Sequence, residues 1–86
     1  MFYVYLLKSE RYNEIYIGST SDLKRRFEEH NKGMNESTKP YLPWKIIYYE
    51  ACLNEEDAKR REGYLKKTQG RRMLKLRLKE YLRSNN

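Results

Sequence analysis

One cysteine, one histidine and two prolines in 86 residues already close off several possibilities. Cys52 has no partner in the chain, so an internal disulfide is excluded and the sequence suits a reducing compartment. Its place at the end of an apolar run fits a small buried residue. No stretch of about 18 apolar residues is present, so a membrane helix is not expected. The N-terminus lacks a secretory leader pattern, which points to a soluble, cytoplasmic protein. Hydrophobic residues make up only 38% of the chain, so its core must be thin. The length suits a single domain over 1–86, near the lower end of what folds without staples.

What the chain holds in excess is positive charge and tyrosine. The net charge is +7, and it is unevenly spread. Residues 59–83 hold 11 Lys and Arg against two acids, Glu62 and Glu80, while the remainder is slightly acidic. A basic segment on a near-neutral body suits a polyanionic partner, most often nucleic acid. The bland alternative is a solvated helix face rich in lysine. Nine tyrosines supply large apolar area with polar tips, so some can close the core while others face a site.

The pattern predicts strands over residues 2–8 and 14–18, joined by a hairpin loop from Ser9 to Asn13. Setting Phe2, Val4 and Leu6 on one face with Ile15 and Ile17 forces Tyr5, Tyr16 and Gly18 onto the other. A polar cluster, Ser19-Thr20-Ser21-Asp22, then caps a helix running to about Lys32, with Gly33 as its stop. On that helix Leu23 and Phe27 form the apolar stripe. Arg26 and His30, four residues apart, flank it, while Arg25 points away. A loop over 34–43 leads to a third strand at 44–52, and Asn54 caps a second helix opening with three acids. Glu62 falls between the inward positions Ala58 and Leu65, and a carboxylate there needs a partner or a cation. Gly70 is expected to break the chain before a last helix whose core face is Leu74, Leu78, Tyr81 and Leu82. Residues 84–86 are expected to fray. The order is β-β-α-β-α-α: an α/β (α+β) chain with a small three-stranded antiparallel sheet flanked by helices.

Hydrolysis of a phosphodiester needs a water, a group to take its proton, and positive charge on the phosphoryl oxygens. Glu62 suits a Mg²⁺ ion whose remaining ligands are water and phosphate. Arg26 can fork onto phosphate oxygens. Tyr5 and Tyr16 are candidates for handling protons, provided neighbouring cations lower their pKa.

Taken in order, several short motifs carry a resemblance. They are Tyr3-Val4-Tyr5, Tyr16-Ile17-Gly18-Ser19-Thr20, Asp22 to Arg26, His30-Asn31, Thr38, Pro43-Trp44-Lys45, Tyr48 and Ala58 to Glu62. Over nearly its whole length the chain resembles the GIY-YIG nucleases, and looks most like small stand-alone bacterial members related to the nuclease domain of the excision-repair subunit UvrC.

The resemblance implies a metal-dependent DNA endonuclease, linked to DNA repair or processing, acting on branched, nicked or single-stranded substrates. Tyr5 would serve as base or orient the water, and Tyr16 would hydrogen-bond into the same site. Arg26 would stabilise transition-state charge, and His30 would assist the nucleophile or bind phosphate. Glu62 would hold a single Mg²⁺, with Mn²⁺ able to replace it. Nucleic-acid contacts are assigned to Gly18, Thr38, Lys66, Lys67, Arg71, Arg72, Lys75 and Lys79, with a monomer as the default state. Two positions depart from the family pattern. Tyr3 stands where the first motif usually opens with glycine, and the asparagine common downstream of the metal glutamate has no counterpart before the C-terminal Asn85, Gln69 being the nearest amide. These departures keep a second reading open, a nucleic-acid-binding module that retains the fold without efficient cleavage.

Overall fold

The computed structural model describes residues 1–84, and within them the chain forms three strands, four α-helices and one 3-10 turn. The strands are β1 (Phe2–Ser9), β2 (Ile15–Thr20) and β3 (Trp44–Cys52), and they pair antiparallel in the order β2-β1-β3. The helices are α1 (Leu23–Asn31), α2 (Glu55–Leu65), α3 (Thr68–Arg77) and α4 (Lys79–Ser84), with the 3-10 turn at Lys39–Tyr41.

β1 is the central strand, and Val4, Tyr5, Leu6 and Leu7 are all buried, so each face of the sheet carries its own core. On one face Val4, Leu6 and Ile17 pack with Ala58 and Leu65 of α2 and Leu74 of α3. On the other, Tyr5, Leu7 and Trp44 pack with Leu23 and Phe27 of α1 and with Tyr41 and Leu42. Alternation along a central strand buried on both sides explains how a chain with so few apolar residues can still bury two layers.

The expected register holds. Tyr5 pairs with Gly18 and Leu7 with Tyr16, which places both tyrosines on the α1 side. Ile17 lies in the opposite core, but Ile15, expected beside it, sits at the hairpin end and is 37% exposed. β2 also runs two residues further than the sequence pattern indicates, because Ser19 and Thr20 still pair with Val4 and Tyr3. The cap of α1 is therefore Asp22 alone, whose side chain accepts from the Arg25 amide at 3.1 Å. Gly33 ends this helix region with φ of +74°, a conformation that disfavours any residue with a Cβ. Asn54 caps α2 by accepting from the amides of Glu56 and Asp57, as expected.

Gly70 does not break the chain. It is the third residue of α3, buried where that helix crosses the end of α2. A Cβ built there would collide with the Tyr64 carbonyl and lie 2.6 Å from Leu65 Cα. Glycine is needed here for close approach of two backbones, and a local reading of the sequence cannot distinguish that from a stop signal. The break before the last helix falls earlier, at Lys66 and Lys67, and a second interruption at Leu78 divides the expected last helix into α3 and α4. Cys52 is half-buried rather than fully enclosed. Ser84 closes α4, and the fraying expected for Asn85 and Asn86 lies outside the described residues.

Candidate active site

The α1 face of the β1–β2 pair brings together four of the singled-out side chains. Tyr5 and Tyr16 are diagonal neighbours across the strands, with ring centroids 6.2 Å apart. The Tyr5 phenol lies over Gly18, where a Cβ would sit 2.6 Å from its oxygen and 2.9 Å from Tyr16 Cε2. The missing side chain of Gly18 is thus what admits the Tyr5 ring.

Helix phase selects as the sequence indicates. The Arg25 side chain is 70% exposed, whereas that of Arg26 is 40% exposed and turns toward the sheet. His30, one turn on, is fully buried. Its Nε2 lies 2.9 Å from the Tyr5 hydroxyl, and its Nδ1 lies 2.8 Å from the Thr38 hydroxyl. The His30 ring also packs on Tyr16 at 4.9 Å between centroids. Half-buried Tyr16 makes no hydroxyl hydrogen bond among the described residues, so its polar tip is available to a ligand.

The electrostatics follow from this packing. Burial pushes Tyr5 up to about 12, although the nearby Arg26 guanidinium pulls the other way. Burial, reinforced by the positive charge of Arg26, lowers the pKa of His30, so the imidazole is neutral at pH 7. Arg26 is also held by Glu29, with Nη1 3.3 Å from Oε1. Its charge is thereby anchored without being wholly buried.

Glu62 reaches the same edge of the sheet from the opposite face. The Ser19 hydroxyl of β2 donates to its Oε1 at 2.6 Å, and Lys66 Nζ lies 2.8 Å from its Oε2. Partial burial raises its pKa, but Lys66 and Ser19 outweigh that and leave it below the usual carboxylate range. Its negative charge is felt at Tyr5. Ser19 is one residue from Gly18, so the carboxylate and the Tyr5 phenol flank a single stretch of β2. Among the described residues no cluster of three or more His, Cys, Asp or Glu side chains could cage a metal. A single ionised carboxylate reaching the sheet edge from α2 instead suits a hydrated Mg²⁺, which keeps most of its waters.

The other residues fall into two groups. Thr38 is fully buried behind His30, and Gly18 is buried beneath Tyr5. Lys66, Lys67, Arg71, Arg72, Lys75 and Lys79 are exposed along the end of α2, α3 and the start of α4. Arg71 and Lys75 border the β1–β2 hairpin, where they share a groove with Lys8, Asn13 and Ile15.

Three contributors escape a reading of the sequence alone. Ser19 reads as part of a helix cap, but its hydroxyl holds Glu62. Asn31 clamps the start of β3, donating to the Trp44 carbonyl at 2.9 Å and accepting from the Trp44 amide at 2.7 Å. Trp44, buried in the core, donates its indole N–H to the Thr38 carbonyl at 2.9 Å. The Glu62–Lys66 pair, by contrast, had a sequence signal, a spacing of four on a helix.

A three-stranded antiparallel sheet with paired tyrosines, an arginine–histidine helix face and a carboxylate at one edge defines a class. Residues 1–77 match the GIY-YIG catalytic domain, and the chain belongs to this family of nucleases. Among individual relatives it is 33% identical to UPF0213 protein CPE1444 of Clostridium perfringens, over 100% of this chain and 92% of that protein. It is 37% identical to UPF0213 protein SAG0778 of Streptococcus agalactiae, over 74% of this chain and 73% of the relative. Among solved structures it resembles the UPF0213 protein BH0048 of Bacillus halodurans, with a TM-score of 0.52 and 28% identity, covering 86% of this chain and 82% of that one. It is thus a small bacterial-type GIY-YIG protein similar to the UPF0213 group.

Proposed function

We propose that the chain is a metal-dependent DNA endonuclease that hydrolyses a phosphodiester at the β2 edge. The observation that carries this reading is the convergence there of Tyr5, Tyr16, His30 and Arg26 from one face with Glu62 from the other. In this reading Glu62 holds a hydrated Mg²⁺, or Mn²⁺ in its place. Bound, the ion supplies positive charge to the phosphoryl and leaving oxygens. Arg26 adds a second positive charge on phosphate, and the free Tyr16 hydroxyl orients substrate or water. The exposed cations of α3 grip the nucleic-acid backbone beyond the site. Branched, nicked or single-stranded DNA is the substrate class, in repair or processing, and the protein acts as a monomer in the cytoplasm.

The test is nicking of supercoiled plasmid, a flap and a single strand, each with Mg²⁺ and with Mn²⁺. Cleavage is expected, with Glu62→Ala and Arg26→Ala each lowering the rate by about 10²- to 10³-fold while the fold is retained. A protein that binds DNA and cuts none of these with either metal is instead a binding module.

A further inference from the structure

His30 is sealed from solvent between two hydroxyls, Tyr5 at Nε2 (2.9 Å) and Thr38 at Nδ1 (2.8 Å). A neutral imidazole has one N–H and one lone pair, so two arrangements satisfy both contacts. In one, Tyr5 donates to Nε2 and Nδ1–H donates to Thr38. In the other, Thr38 donates to Nδ1 and Nε2–H donates to the phenol oxygen. Two observations favour the first. The Asn35 carbonyl lies 3.4 Å from the Thr38 hydroxyl, giving its hydrogen an acceptor there and leaving a lone pair for Nδ1. A phenol is also a much stronger acid than an aliphatic alcohol, and so the better donor to an imidazole lone pair.

We infer that Thr38 is a positioning residue that holds His30 as its Nδ1–H tautomer, so that the proton of the attacking water is relayed by Tyr5 onto His30 Nε2. This rests on the nuclease reading above and specifies where its proton goes. The step balances. The water O–H breaks as Tyr5 takes that proton, and the Tyr5 O–H breaks as its own proton passes to Nε2. The water oxygen forms the new P–O bond, and the leaving oxygen departs with the electron pair of the old one and is protonated by solvent. After turnover the imidazolium returns its proton by the same route, from Nε2 to the Tyr5 oxygen while Tyr5 gives its own proton to a water in the site.

The relay resolves a difficulty in using Tyr5 as a base by itself. With its pKa pushed up to about 12, phenolate is scarce at neutral pH, whereas neutral His30 offers a lone pair there. The groups facing His30 are Tyr5 on β1, Tyr16 on β2, Arg26 and Glu29 on α1, and Thr38 in the loop. Arg26 opposes the imidazolium and Glu29 favours it. Thr38 cannot readily turn away, since Trp44 Nε1 holds its carbonyl and its amide donates to Asn35 at 3.2 Å.

The tautomer can be read directly from long-range ¹H–¹⁵N spectra of the labelled wild-type protein near pH 8. Nδ1 is expected at the protonated-nitrogen position and Nε2 at the lone-pair position. Thr38→Val is expected to lose this bias and lower kcat by about 10- to 100-fold with little change in KM. Its acid limb should move to lower pH, because the imidazolium Nδ1–H has lost its acceptor. Thr38→Ser should restore tautomer, rate and acid limb together. An Nε2–H tautomer in the wild type overturns the relay, as does a folded Thr38→Val protein with an unchanged acid limb. If the wild type cuts normally but shows the Nε2–H tautomer, the relay alone falls. If it cuts nothing with Mg²⁺ or Mn²⁺, the nuclease reading falls and the relay with it.

Discussion

Adding a single methyl group at Gly18 should damage this protein more than its size suggests. In Gly18→Ala the new Cβ would stand 2.6 Å from the Tyr5 oxygen, 2.7 Å from Tyr5 Cζ and 2.9 Å from Tyr16 Cε2. Ordinary contact begins near 3.4 Å, so the phenol must withdraw by roughly 0.8 Å. It has little room to do so. Tyr5 is 2% exposed, packed with Leu7 and Trp44, and tied to His30 at 2.9 Å. Overpacking of this kind costs about 1–3 kcal/mol, and a weakened buried hydrogen bond adds about 1 kcal/mol. Replacing glycine in a strand returns about 0.5–1 kcal/mol. The net loss is about 2 kcal/mol, or roughly 10 °C in Tm for a chain of this length.

Gly63→Ala on α2 is the matched control. A Cβ there meets nothing within 4 Å, so alanine should stabilise the helix by about 0.5–1 kcal/mol. Calorimetry of both variants gives the comparison. Nicking by Gly18→Ala should fall by about 10²-fold, since a displacement near 1 Å at a reacting group has that effect. A Gly18→Ala protein as stable as wild type, with the Tyr5 and His30 resonances unmoved, would refute the close-packed placement of Tyr5 over β2.

Two further expectations concern charge. Glu50 accepts a two-pronged bond from Arg61, both contacts at 2.9 Å, and the Tyr48 hydroxyl donates to it as well. The Arg61 hydrogen bond is the main cause of its lowered pKa. Its contribution is therefore present above the unfolded value near 4.5 and is lost as pH falls through the lower folded value. Urea titrations between pH 7 and 3 should show Glu50→Gln weakening the fold by about 1 kcal/mol at neutral pH and flattening its acid dependence, a modest figure because Arg61 is partly exposed. Charge reversal at Arg72, Lys75 and Lys79 should weaken DNA binding and reduce the slope of log affinity against log salt by up to about 3. An unchanged slope would remove α3 from the contact surface.

The sequence made the sheet register legible because alternation has a period of two, and a slip of one residue would have moved Ile17 off the α2 face and put Tyr5 and Tyr16 on opposite faces. Helix phase separated Arg26 from Arg25 for the same kind of reason, a fixed 100° per residue. What it concealed depends on contacts between distant segments. Ser19 sits in a run of good capping residues, and only the arrival of α2 turns its hydroxyl toward Glu62. Thr38 lies in a loop without periodicity, and its bond to His30 depends on the Asn31 clamp and the Trp44 indole fixing where that loop returns. Gly70 was misread because a glycine's local meaning is a break, whereas here its neighbour across the helix crossing determines its role.

That same crossing works as a gauge. α3 lies against the end of α2 at the distance allowed when nothing projects from Gly70, and Glu62 stands less than one turn back along α2. The offset between the carboxylate edge and the exposed row of cations is therefore set by an absent side chain. Under the proposed function, that offset fixes how far along a strand the grip falls from the bond being cut. A larger residue at 70 would leave the catalytic edge and the cations each chemically intact, yet change their spacing.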